Sequence, residues 1–310
     1  MGAGWVAGVT RSRAMLSRCL GAGAQDVAGA ATLDDALRYL GATAYGHDLG
    51  SEADLADAQR AVSATLLWHL RVLAGWQPRA GATVVRLLAS GFEIANVDDH
   101  ARALSDATPS PPARRPYGLG ALATAWPRLS RTRSPAELRA AMVGSAWGDP
   151  GGDSPAAVAI GIRIAAAGRT AAAVPPAMRW AAGRVALLVG REVFLADRTL
   201  TLPTARRAAR VLGSEAVGAA SFAEFLRHLP AAARWAVEGI DAPADLWRAE
   251  TRWWSRLRQD GLELLHGSGL DSSPVVGAVA VLSADAWRVR AALELAARDG
   301  GSLEVLDAPA

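Results

Sequence analysis

Lysine is absent from the 310 residues, cysteine and asparagine occur once each (Cys19 and Asn96), and aromatic residues make up only 6%. Each shortage removes a class of chemistry. Without lysine, no standard GxxxxGK[ST] phosphate loop can be written. With one cysteine there is no disulfide framework within the chain, which points to a reducing compartment. Cys19 falls among Met15, Leu16 and Leu20 and reads as a core residue rather than a nucleophile. Long apolar runs are also missing: Ala156–Ala167 is interrupted by Arg163, and Pro274–Leu282 is far too short to cross a bilayer. The opening MGAGWVAGVTRSR lacks the charged-then-apolar order of a signal peptide. Strand signals are nearly absent: Val275–Leu282 is the one candidate, and it fits a buried helix equally well. All 33 basic residues are arginine against 30 acidic ones, a net charge of +3. They are scattered and form no basic stripe of the kind a nucleic-acid binder carries. Together with abundant Ala, Gly and Leu, this arginine usage reads as a high-GC coding habit.

The catalytic and metal motifs are missing as well. There is no HExxH or CxxC. Gly2, Gly4 and Gly8 have the wrong spacing for a dinucleotide fingerprint. His266-Gly267-Ser268-Gly269 lacks the first glycine of a nucleophile elbow. His47, His69, His100, His228 and His266 are dispersed, none with a partner at ligand spacing. Asp34-Asp35 and Asp98-Asp99 resemble the start of the DDxxD motif of terpenoid synthases, but Arg38 and Arg102 stand where the third carboxylate belongs. Both pairs read as capping or solvated residues. Trp253-Trp254, about 100° apart on a helix, read as core plus interface edge. The expectation is a non-enzyme with no catalytic residue, no metal site and no cofactor.

What is present is helix, and it repeats. Thr32-x-x-Asp35 opens a helix carrying Leu33, Leu37 and Leu40, ended by Gly41 and followed by Thr43-Ala44-Tyr45-Gly46. The same order returns as Ser134, Glu137, Met142 and Ser145-Ala146-Trp147-Gly148, and a third capping box opens at Ser221 with Glu224. Further helices are predicted over 11–20, 54–75, 83–104 with a bend at Gly91, 154–167, 176–195, 203–212, 221–238, 243–266 and 283–298. Thr108–Pro116 (TPSPPARRP) is the one obvious linker. The expected organisation is all-α: helical repeats over 1–107, 117–212 and 213–310, with the proline-rich linker 108–116, forming one continuous helical body.

Several stretches together resemble a family. They are Arg11-Ser12-Arg13-Ala14-Met15-Leu16, the L-x-x-T-x-Y-x-x-x-L run with Leu40, Thr43, Tyr45 and Leu49, and Phe92-Glu93-Ile94-Ala95-Asn96-Val97. To these add Val193–Asp197 as a second copy of the last, and Ala284-Asp285-Ala286-Trp287-Arg288-Val289-Arg290. In this order and spacing the chain resembles subunit d of vacuolar-type ATPases and its counterparts in archaeal and bacterial V/A-type enzymes. The resemblance implies a pseudo-three-fold helical funnel that is peripheral to the membrane on its cytoplasmic side. One face would sit on the proteolipid ring and the other receive the rotor shaft, transmitting torque without holding nucleotide. Tyr45 and Trp147, at equivalent turns, are the candidate partner contacts. Arg11, Arg13, Thr43, Tyr45 and Asn96 are the motif residues. The competing expectations are an all-α enzyme with a deep apolar cavity and convergent carboxylates, and a helical regulator or DNA-binding protein.

Overall fold

The computed structural model describes residues 3–50, 53–105, 115–298 and 300–303, and no strand occurs among them. Its α-helices are α1 (Ala3–Ala14), α2 (Gly23–Ala28), α3 (Leu33–Gly41), α4 (Leu55–Gly75), α5 (Arg79–Leu88), α6 (Ser90–Ser105), α7 (Trp126–Leu129) and α8 (Pro135–Val143). Then come α9 (Pro155–Ala173), α10 (Met178–Val189), α11 (Leu202–Leu212), α12 (Ser214–Val217), α13 (Phe222–His228), α14 (Ala231–Arg234), α15 (Leu246–His266) and α16 (Ser273–Ala296). The expectation of an all-α chain holds.

The helix starts are set by local chemistry. Thr32, Ser134 and Ser221 each accept a bond from the backbone N–H three residues on, at 3.2 Å in all three cases. The carboxylates of Glu137 and Glu224 reach back to the N–H groups of Arg133 and Ala220, closing the box. Asp54 and Ser154 cap α4 and α9 in the same way. The predicted bend at Gly91 is a break into two helices around Ala89. The run expected over 221–238 stops at Leu229, which takes the extended backbone that Pro230 imposes on the residue before it. At the end of α10 the chain relaxes into a π-turn over Gly190–Leu195.

The structure decides between two states that the sequence leaves open for one segment. Val275–Leu282, the strand candidate, lies inside α16 and is wholly buried. A short continuous apolar run fits a buried helix as well as a buried strand, and periodicity cannot separate the two.

The chain divides into two compact units, Met1–Val85 with Trp254–Ala310, and Arg86–Trp253, the divisions falling inside α5 and α15. Of the predicted linker 108–116, residues 108–114 lie outside the described residues. In the first unit, Leu37, Leu40 and Tyr45 meet Val27, Val62, Val289 and Leu293 in an apolar cluster, and Leu70, Leu73, Val276 and Val279 are buried as well. Two such clusters lie in the second among the described residues. Ile164, Val185, Leu187, Leu212 and Phe225 anchor one; Val97, Leu129, Leu138, Met142, Trp147 and Ile162 anchor the other. Helix α9 supplies both, Ile160 and Ile164 on one side and Val158 and Ile162 on the other, which explains why it is apolar nearly all round. It is the one helix among the described residues long and apolar enough to cross a membrane. Here it serves as a core helix, with Arg163 held by Asp98 of α6.

Candidate functional site

The repeated stretch folds the same way in both units, down to individual hydrogen bonds. After α3, the Thr43 hydroxyl donates to Leu40 O (2.7 Å) and accepts from Tyr45 N–H (3.2 Å). After α8, the Ser145 hydroxyl donates to Met142 O (2.8 Å) and accepts from Trp147 N–H (3.1 Å). Each turn thereby swings its aromatic ring inward, leaving Tyr45 2% and Trp147 1% exposed.

Each ring then donates to a buried carboxylate. Tyr45 Oη–H bonds Asp285 Oδ2 at 2.8 Å, and the same carboxylate accepts from the N–H groups of Leu20 (2.8 Å) and Gly21 (2.9 Å). Trp147 Nε1–H bonds Glu93 Oε1 at 2.8 Å, and that carboxylate accepts from the N–H groups of Thr124 (2.5 Å) and Ala125 (2.7 Å). In both, one acid collects one aromatic donor and two consecutive backbone donors. Buried charge is tolerated when its lone pairs are occupied in this way. Burial, then the Asp285 charge, pushes the Tyr45 phenol well above its usual range. Glu93 and Asp285 lie within stretches that the family resemblance picks out, yet nothing local reveals what they hold, because their partners are remote in the chain.

The remaining motif residues also have local tasks. Arg13 donates from Nε to Leu265 O (3.1 Å) and from a terminal nitrogen to Gly267 O (2.6 Å), closing the end of α15. Arg11 lies over the Trp76 ring, 5.5 Å from its centroid. Asn96 clamps the backbone of Tyr117, donating to its carbonyl (3.0 Å) and accepting from its N–H (2.7 Å). Cys19, expected in the core, is half-buried; burial, then Asp285, pushes its thiol up to about 12. Asp35 belongs to the cap of α3, its N–H donating to the Thr32 hydroxyl and its carboxylate accepting from it, and it pairs with Arg38, while Asp99 pairs with Arg102. Asp98 departs from the capping or solvated reading, since it is buried in a two-pronged ion pair with Arg163. Trp253 packs on a core and donates to Trp180 O (2.9 Å), while Trp254 stacks on Trp287. Among the described residues no three His, Cys, Asp or Glu side chains are grouped to hold a metal.

The second unit also has a cavity of about 600 Å³. Its walls come from the 145–148 turn, α9, α11, the start of α10 and the Pro230–Ala232 segment. Arg169 stands over the Trp147 ring, 4.9 Å from its centroid. Arg207 lies against Gly148 and donates to Asp149 O (2.7 Å). Arg210 is at the rim. Burial lowers the proton affinity of both Arg169 and Arg207. No carboxylate is among the described residues lining this cavity, which is the reverse of what an acid–base enzyme site calls for. Sequence reasoning missed these arginines, since three scattered members of a set of 33 basic residues carry no local signal.

No family model matches the chain, and no curated protein matches it.

Proposed function

We propose that the chain is a non-catalytic central-stalk adaptor of a rotary V/A-type ATPase, docking the rotor shaft onto the proteolipid ring and transmitting torque. The supporting observation is the recurrence, in two units, of a capped helix, a hydroxyl-braced turn and an aromatic–carboxylate clasp. Such a recurrence is what descent from a repeated helical module produces, and three of the stretches that resemble subunit d, those with Tyr45, Glu93 and Asp285, supply parts of it. The helix beginning at Ser221 is the third copy in this reading. There the clasp is replaced by packing of Phe194, at the place of Glu93 in the aligned stretch, against Phe222 and Phe225. A three-fold funnel follows from this reading. So does a mechanical role for Glu93 and Asp285: each ties a turn to its own unit, as torque transmission requires of a stiff body.

Recovery of tagged chain from native membranes tests the proposal. The proteolipid ring and shaft subunits are expected to come with it. A chain that returns alone from membranes that contain the assembled ATPase overturns the adaptor reading.

A further inference from the structure

We propose that the cavity of the second unit binds a small organic oxyanion, a phosphate monoester or carboxylate carrying an apolar body. The site stands apart from the adaptor reading and does not depend on it.

Charge balance carries the argument. Glu93 is the carboxylate that bears on Arg169, and Asp149 the one that bears on Arg207. Glu93 has both oxygens engaged by Trp147, Thr124 and Ala125. Asp149 is gripped by the fork of Arg139, at 2.9 and 3.2 Å, and accepts from Gly151 N–H. That leaves Arg169 with an aromatic face and Arg207 with one backbone carbonyl. Both guanidiniums are half-buried, and no carboxylate of the described residues lies within ion-pair distance of either. Desolvated positive charge without a counter-ion is costly, and an anion that brings two or three oxygens removes that cost. Guanidinium forks suit phosphate and carboxylate geometry.

The placement is built. Arg169 and Arg207 bear on consecutive residues of one turn, Trp147 and Gly148. Gly148 has φ +68°, and a Cβ there would strike the Arg207 guanidinium. Arg210 lies one helical turn beyond Arg207 on the same face of α11. The rest of the wall is apolar, from Ile164, Val211, Met178 and the alanines of α9, and Gly168 leaves open space where a side chain would project. The volume lies in the range of small-ligand sites, about 300–1,000 Å³.

Calorimetry on the purified full chain tests this with octyl phosphate, octanoate, inorganic phosphate and octanol. One saturable site is expected for octyl phosphate or octanoate, whichever binds tighter naming the head group, with inorganic phosphate and octanol at least about tenfold weaker. Arg169→Met and Arg207→Met should each weaken binding roughly tenfold or more. Gly168→Leu fills the cavity without removing a charge and should abolish binding while the melting transition is retained. Arg38→Met, on the other unit, should change nothing. Absence of saturable binding, equal binding by the Gly168→Leu chain, or an equal loss in Arg38→Met overturns the proposal.

Discussion

Tyr45→Phe leaves the ring in place and takes away one hydroxyl, so the buried Asp285 carboxylate, 3% exposed, keeps two of its three donors. Leaving a buried acceptor short costs about 1–3 kcal/mol. Urea denaturation should show that loss. Tyr39→Phe, which removes an exposed hydroxyl bonded to Asp26, should stay within about 0.5 kcal/mol of the parent. His69 makes a second prediction at this scale. Burial, helped by the positive charges of Arg18, His47 and Arg11 and opposed by Asp48, pushes it down from 6.5 to about 4. The unfolded chain therefore takes up this proton before the folded one does. The stability it contributes is complete above about pH 6.5 and is lost as the pH falls through that window towards 4, by up to about 3 kcal/mol. Denaturation midpoints taken from pH 7 to pH 4 should slope downward, and His69→Leu should flatten the slope.

Helix α16 crosses α15 at two glycines, and the crossing is close enough to be read as a constraint. A Cβ on Gly277 would lie 2.5 Å from Gly261 O, and one on Gly261 would lie 2.9 Å from the Ala280 Cβ. Gly277→Ala should force the helices apart and destabilise by about 1–3 kcal/mol despite alanine's better helix propensity. Gly168→Ala, in open space on α9, should show propensity alone and stabilise by about 0.5–1 kcal/mol. Thermal melts of the two variants should shift in opposite directions. The capping serine of α8 is a milder case: Ser134→Ala should cost about 1 kcal/mol.

For the whole molecule, the adaptor reading makes its own demand: the chain should be recovered with the proteolipid ring and shaft subunits. If the clasps stiffen a torque-bearing body, then Tyr45→Phe and Trp147→Phe chains that still fold should join the complex yet lower coupling between ATP hydrolysis and ion transport. Measurement of the two rates on the same vesicles separates that outcome from simple loss of assembly.

What the amino-acid sequence by itself determined is local. The capping boxes at Thr32, Ser134 and Ser221 act over three residues, so residue type and spacing suffice to find them. The all-α class and the long α4 follow in the same way, whereas the helix expected over 221–238 ran through Pro230, where the chain in fact breaks at Leu229. The helical state of Val275–Leu282 was not legible, because burial on every side erases periodicity. Nor was the closure of each turn: Tyr45 meets Asp285 and Trp147 meets Glu93 across 240 and 54 residues. The arginine cavity is more remote still, assembled from α9, α11 and a turn. Local sequence sets what each segment can form. Which buried acid meets which aromatic, and which arginines are left without a counter-ion, is decided only when distant helices pack.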